Sequence, residues 1–355
     1  MNAIKINGRF LTAPVTGVQR YARELLREMD LILSESTKPP VVLELLVPPD
    51  AADLPPYQCI RMRKVGQRRG HAWEQLDLPR FCEGDLLFTP CGGAPLSYPR
   101  HVITIHDAAV WAAPEGYSLA YRSWYRILHG LLAKKAKHIL TVSEFSKAEL
   151  VHWTHVPPEK ITVTYLGGEH VDRLQADETV FSRHGIDRHR YVLAVGSQNP
   201  NKNLSALASA MKDLRDMSYP LVLAGGRTDG VFGEVADVEG NIKRIGYVKD
   251  EELKALYHSA ACFVFPSKYE GFGLPPLEAA YLRCPTIVSG QGSLREIFEG
   301  IALFVDPLDP HSIAHQIRKA LTGGTLDREE IRQRALKYNW RSCANKTLDL
   351  LQQLS

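Results

Sequence analysis

Short apolar runs separated by stretches of helical period recur from one end of the chain to the other. "VVLELLVP", "DLLFTP", "HVITIHD", "KHILTVS" and "KITVTYLGG" read as strands of a first half. "RYVLAVGS", "YPLVLAGG", "NIKRIGYV", "ACFVFPS" and "CPTIVSG" repeat the pattern in a second. Several are apolar at consecutive positions, as strands covered on both faces are. Between them, "NLSALASAMKDL", "DEELKALYHSA" and "PHSIAHQIRKAL" place apolar residues at helical spacing. The alternation predicts an α/β chain of two doubly wound parallel-sheet domains. Periodicity lapses over residues 166–189, "LGGEHVDRLQADETVFSRHGIDRH", where a hinge is expected. The late "REEIRQRALKYNWRSCANKTLDLLQQL" reads as helical, interrupted near Asn339-Trp340.

Composition narrows the class. At 355 residues the chain exceeds one ordinary core and fits two domains. A formal charge of +3 does not mark a nucleic-acid binder, so any basic behaviour is local. The cysteines at 59, 82, 91, 262, 284 and 343 show no CxxC and no metal-ligand spacing. They read as reduced thiols in a reducing compartment. The start "MNAIKINGRFLTAPVTGVQRY" has no signal-peptide core, and no run reaches the ~18 apolar residues of a membrane span. The expectation is a cytoplasmic protein.

In open parallel sheets, ligands sit beyond the carboxyl ends of the strands. Four clusters fall there or at a helix start. In "PVTGVQRYARELLREM", Thr16 and Gln19 form a capping box ahead of a stripe of Val18, Tyr21, Ala22, Leu25 and Met29. Gly17 offers bare backbone at a helix start, either for an anion or simply in a capped core helix. "VGSQNPNKNL" puts Gly196, small polar residues and Lys202 at a strand-to-helix turn, the composition of a phosphate site or of an ordinary polar turn. Neither a Walker loop nor GxGxxG is present. His106-Asp107 ends a strand, where the imidazole meets a sugar hydroxyl or phosphate, or serves the structure alone.

The fourth cluster is "SKYEGFGLPPLEAAYL", residues 267–282. Gly271 and Gly273 let the backbone pass close to a ligand, and Pro275 or Pro276 suits the first turn of a helix. Glu270 stands just before this loop and Glu278 about one turn into the helix. Two carboxylates so placed could grip hydroxyls at two points of an elongated polar ligand, act as general acid and base, or decorate an acidic loop.

With "FVFPS" before it and "EA" after it, the segment "EGFGLPPLE" resembles the E-x7-E signature of family-4 retaining glycosyltransferases of the GT-B fold. The resemblance extends through "TGVQRYARELL", "TIHD", "LTVSEFSKAEL", "AVGSQNPNKNL", "GYVKDEELKALYHSA", "GSLREIFEGIALFVDPLD" and "YNW". It implies two Rossmann-like domains facing a central cleft. Residues 1–170 would form the acceptor-side domain and 171–335 the nucleotide-sugar domain, with 336–355 a helix crossing back onto the first. Glu270 would contact hydroxyls of the transferred sugar, Glu278 the ribose, and Lys202 the diphosphate. Backbone of Gly17 and of the Gly271–Gly273 loop, with Ser197, Phe272 and Leu274, would complete the donor site. His106 would touch the donor sugar, and backbone at Tyr247-Val248 would border the base. The family often has Arg just after "VG", where this chain has Ser197; Arg227 or Arg20 would substitute.

The resemblance offers no carboxylate nucleophile at the anomeric carbon, so retention implies front-face substitution rather than double displacement. No DxD-type motif is evident ("DVEGN" is not one), so no metal or other cofactor is expected. The donor would be a nucleotide-diphosphate sugar, GDP-mannose first, then UDP- or dTDP-sugars. The acceptor would be a saccharide or lipid-linked saccharide of surface polysaccharide synthesis. Arg61, Arg63, Lys64, Arg68 and Arg69 lie in "RMRKVGQRR", and "YRSWYRILHGLLAKKAKH" adds Trp and bases at helical spacing. Both could contact an acidic acceptor or the anionic inner face of the plasma membrane, or be solvated faces. The rival functions are a nucleotide-sugar epimerase and a non-catalytic sugar-binding protein.

Overall fold

A computed structural model describes residues 3–37, 41–197, 199–226, 242–324 and 327–355. Two compact units emerge. The first comprises Met1–Ala112, Leu119–Leu166 and Asn339–Ser355; the second comprises Ala113–Ser118 and Gly167–Tyr338. The main crossing thus falls at 166/167 and the return at 338/339, and a six-residue piece, 113–118, belongs to the second unit.

The first unit holds a parallel sheet of β1 (Ala3–Asn7), β2 (Val42–Val47), β3 (Arg61–Lys64), β4 (Leu86–Thr89), β5 (His101–Thr104), β6 (His138–Thr141) and β7 (Ile161–Val163). Their order is β3-β2-β1-β4-β5-β6-β7. The second holds β8 (Val192–Val195), β9 (Leu221–Ala224), β10 (Ile242–Gly246), β11 (Cys262–Phe265), β12 (Thr286–Ser289) and β13 (Leu303–Val305), ordered β10-β9-β8-β11-β12-β13. All pairings are parallel. This is the doubly wound α/β architecture read from the apolar pattern. β4, β5, β9, β11 and β12 are buried at every position, as strands covered by helices on both faces must be.

Each unit has its own core. In the second, Val192, Leu221, Val264 and Ile287 of the sheet pack with Leu207 and Met211 of helix Leu204–Lys212 and Ile313 and Ile317 of helix Pro310–Leu321. In the first, Ile103 and Ile139 pack with Leu128 and Leu132 of helix Leu119–Lys135 and with Leu150. The helix Gly17–Glu35 buries Tyr21, Ala22, Leu25 and Met29 of the predicted stripe, and Gln19 Oε1 accepts from the Thr16 backbone N–H at 3.2 Å. Its partner is the last helix, Trp340–Leu354, within the same unit. Asn339 caps that helix by accepting from Ser342 N at 2.8 Å, and fully buried Trp340 lies 6.2 Å from the Tyr21 ring. The interruption near Asn339 is therefore a helix start. All six cysteines are free thiols.

Candidate functional site

Sheet order decides where a ligand crevice opens in the second unit. β9 and β10 lie on one side of β8, and β11 to β13 on the other. The crossovers therefore diverge between β8 and β11, a topological switch point. Lys202 follows β8 and Glu270 follows β11, and they meet there: Lys202 Nζ stands 2.6 Å from Glu270 Oε1. Lys202 also lies 4.9 Å from the centre of the Phe265 ring, a cation–π contact that limits where its ammonium can go.

The turn carrying Lys202 is held tightly. Asn203 adopts the left-handed conformation (φ 57°), which an Asn tolerates better than most residues. Its buried amide donates to the Pro266 carbonyl at 3.1 Å and to the Pro307 carbonyl at 2.6 Å, tying the ends of β11 and β13 to the turn. Asn201 O accepts from Lys268 N at 2.8 Å, and the Asn201 side chain donates to Ala113 O at 3.3 Å. That contact seats the 113–118 piece in this unit. At the mouth of β8, a Cβ on Gly225 would lie 2.0 Å from Gly196 O, so only glycine allows these strand ends to approach.

The Gly-rich loop is equally constrained. Gly273 has φ +95°, and a Cβ there would come within 2.5 Å of Leu294 Cδ2. It precedes helix Leu274–Tyr281, whose first turn carries Pro275 and Pro276. The Glu270 carbonyl accepts from Ser293 Oγ at 2.6 Å. Gly271, Phe272 and Leu274 are buried, and Phe272 sets its ring edge-on to Tyr338 at 5.8 Å. Glu278 is buried as well. His170 Nε2 donates to its Oε1 at 3.0 Å and Tyr257 OH to its Oε2 at 3.3 Å, so the carboxylate is oriented before any ligand arrives. Tyr247 is 77% exposed beyond β10, whereas Val248 is buried. Ser197 is half-buried.

The remaining candidates belong to the first unit. His106 Nε2 bonds the Pro90 carbonyl at 3.1 Å, so that nitrogen carries the hydrogen. Burial, helped by His129, lowers the pKa to about 4 against the Pro90 hydrogen bond. The imidazole is thus neutral at pH 7 and presents Nδ1 as an acceptor. Its ring sits edge-on to Tyr21 at 4.7 Å. Gly17 is exposed, and a Cβ there would meet nothing within 4 Å, so packing does not require glycine.

The basic stretch is less basic than it reads. Arg61–Lys64 is edge strand β3, and Arg63 pairs with Glu44 of β2 at 2.9 Å and Glu83 at 3.2 Å. Arg68 pairs with Asp77, and Lys64 Nζ donates to Ala51 O at 2.9 Å. Arg61 and Arg69 are exposed. Arg227 and the "DVEGN" segment lie outside the described residues; Arg20, the other residue expected to substitute, is half-buried in the first turn of its helix.

The structure thus joins Lys202 directly to Glu270, fixes the Gly271–Gly273 loop beside them, and anchors Glu278 on other partners. Sequence reasoning missed His170, Tyr257, Asn203 and Ser293. The Asn-rich "NPNKN" signalled Asn203, but nothing local marked the other three.

Residues 177–338 match the family described as Glycosyl transferases group 1, and residues 86–168 match Glycosyltransferase Family 4. The chain is 34% identical over 271 residues to the O-antigen chain mannosyltransferase B of Escherichia coli, covering 72% of this chain and 71% of that one. It is 34% identical over 218 residues to the O-antigen chain mannosyltransferase RfbU of Salmonella typhimurium, 60% and 58% of the two chains. Among solved structures, the sucrose-phosphate synthase of Thermosynechococcus elongatus superposes with a TM-score of 0.74 at 18% identity, over 100% of this chain and 99% of that one. These matches establish the GT-B fold and the family: the chain belongs to the group 1, family 4 glycosyltransferases.

Proposed function

We propose that the enzyme moves a hexose, with retention, from a nucleotide-diphosphate sugar to a saccharide or lipid-linked saccharide acceptor in surface polysaccharide synthesis. GDP-mannose is the first donor, because both relatives in Escherichia coli and Salmonella typhimurium are O-antigen chain mannosyltransferases. The observation carrying the site is the Lys202–Glu270 pair at the β8/β11 switch point. A cation and a hydroxyl acceptor held 2.6 Å apart match the junction of an activated sugar, where phosphate oxygen and sugar hydroxyl are neighbours.

In this reading Lys202 and the backbone of Gly271–Gly273 neutralise the departing diphosphate, and Glu270 accepts from sugar hydroxyls. Glu278, held by His170 and Tyr257, accepts from the ribose. The acceptor oxygen bonds to the anomeric carbon on the face the diphosphate leaves. The carbon–oxygen bond to phosphate breaks, and the acceptor's proton passes to the departing phosphate oxygen. Transfer requires no divalent metal, so EDTA leaves turnover unchanged.

The test is incubation of the full chain with GDP-mannose, UDP-hexoses and dTDP-sugars, with released nucleotide and product anomeric configuration read by NMR. Release of GDP with an α-linked product supports the proposal; inversion at C2 without transfer supports an epimerase. GDP-mannose that neither shifts the melting temperature nor turns over refutes the donor.

Peripheral membrane contact is a second part of the proposal. Helix Leu119–Lys135 exposes Trp124, Ile127 and Leu131 at i, i+3 and i+7, with Lys134 and Lys135 at its end. Among the described residues no helix is long and apolar enough to cross a membrane. Sedimentation with anionic vesicles should fall on Ile127→Ser with Leu131→Ser, and unaltered binding rejects the contact.

A further inference from the structure

The turn that carries Lys202 is gripped by a piece of chain that interrupts the first unit. The chain leaves that unit after Ala112, runs through Ala113–Ser118 in the second, and returns at Leu119 to begin helix Leu119–Lys135. Within the piece, the 3₁₀ turn Pro114–Gly116 lies against the 3₁₀ turn Pro200–Lys202. Their joint is polar. Asn201 Nδ2 donates to the Ala113 carbonyl at 3.3 Å, and Asn199 Nδ2 to the Gly116 carbonyl at 3.4 Å. Gly116 makes the approach possible: a Cβ there would stand 2.6 Å from Asn201 Nδ2 and 2.7 Å from Asn199 Oδ1.

Asn201 is buried, yet its Oδ1 accepts no hydrogen bond among the described residues. A buried acceptor without a donor is costly and calls for an explanation, so this amide is not placed for its own satisfaction. Asn199 Oδ1 accepts from Asn201 N at 2.9 Å, which makes the two asparagines one rigid turn. Lys202 then stands between two clamped neighbours. Asn201 is held by Ala113 and, through its own carbonyl, by Lys268 N at 2.8 Å; Asn203 is held by the Pro266 and Pro307 carbonyls. An ammonium on a flexible four-carbon stem reaches one point reproducibly only when its backbone is fixed. Here it stands 2.6 Å from Glu270 Oε1.

We propose that segment 113–118 is a brace for this turn, and that Asn199, Asn201 and Gly116 are positioning residues that set where Lys202 Nζ stands. Without the brace the turn relaxes, Lys202 drifts from Glu270, and a diphosphate loses its cation. A displacement of about 1 Å at such a group costs as much as about 10²-fold in rate. That a diphosphate is what Lys202 meets rests on the transferase reading; the brace itself does not.

The experiment compares the full chain as wild type, Asn201→Ala, Gly116→Ala and Lys202→Met, with Asn201→Ala also made beside Lys202→Met. Two quantities are measured: the rate at which acetic anhydride labels Lys202 without nucleotide, by peptide mass spectrometry, and the affinity for GDP, by calorimetry. Labelling should be faster in Asn201→Ala and Gly116→Ala than in the wild type, because the ammonium is no longer held to Glu270. GDP should bind about tenfold more weakly in each. Asn201→Ala should weaken it no further once Lys202 is replaced, since the brace acts through that lysine. A joint that only stabilises the fold would lower the melting temperature and move neither labelling nor that non-additivity. Wild-type labelling rates in both variants, or a tenfold loss that persists beside Lys202→Met, overturns the proposal. If Gly116→Ala does not fold, Asn201→Ala and Asn199→Ala, the latter at a half-buried site, decide. Faster labelling in variants of a protein whose wild type binds no GDP rejects the donor reading and leaves the brace standing.

Discussion

Replacing Lys202 by Met and Glu270 by Leu, singly and together, separates a structural ion pair from a working one. The groups stand 2.6 Å apart with 24% and 15% of their side chains exposed. At an effective dielectric near 20, two charges ~4 Å apart attract by about 4 kcal/mol, but desolvation cancels most of that. Truncating one partner strands the other, for a loss of about 1–2 kcal/mol at this partial exposure. For a unit of this size, 1 kcal/mol moves the melting temperature by roughly 2–4 °C. Each single variant should therefore melt some degrees lower, and the double variant, with no stranded charge, should recover most of the loss. Turnover should not recover. Loss of one group that meets developing oxyanion charge slows turnover by roughly 10²- to 10³-fold, with or without its neighbour. Thermal unfolding and initial rates on the same four proteins decide the matter. A double variant that regains turnover with stability, or single variants that never lose it, refutes the catalytic assignment.

Gly225→Ala must push Gly196 O out of a 2.0 Å contact, so it should destabilise the second unit by about 1–3 kcal/mol in thermal unfolding. Gly17→Ala meets nothing within 4 Å, so its melting temperature should be unchanged or slightly raised in thermal unfolding. His106 and His129 are both held near a pKa of about 4, chiefly by burial, whereas an unfolded histidine titrates near 6.5. The unfolded chain therefore binds more protons between those values. Stability is full above pH ~6.5 and falls on acidification toward pH 4, by up to about 1.4 kcal/mol per pH unit for each group. His129→Gln should flatten that slope in melting curves taken from pH 7 to pH 5.

Much of this architecture is legible in the residues, because strands buried on both faces must be apolar throughout. The exceptions are instructive. β1, "AIKIN", alternates over only five residues and buries Lys5, whose ammonium is paired with Glu44 at 2.5 Å. β3, "RMRK", reads as a charge run because it is an edge strand, with Arg61 in register with Glu44 on β2. The acids that temper it, Glu44 and Glu83, are distant in sequence. At the site, Lys202 and Glu270 could be picked out since glycine, a strand end and a charge coincide locally. His170 and Tyr257 could not, since the carboxylate they orient lies 108 and 21 positions away in the chain.

The most direct test is a crystal of the enzyme soaked with GDP-mannose. The account predicts that Lys202 Nζ leaves Glu270 for a diphosphate oxygen, that Glu270 accepts from a hydroxyl of the sugar, and that Glu278 accepts from the ribose. A nucleotide bound away from the carboxyl ends of β8 and β11, with the Lys202–Glu270 contact intact, would contradict it.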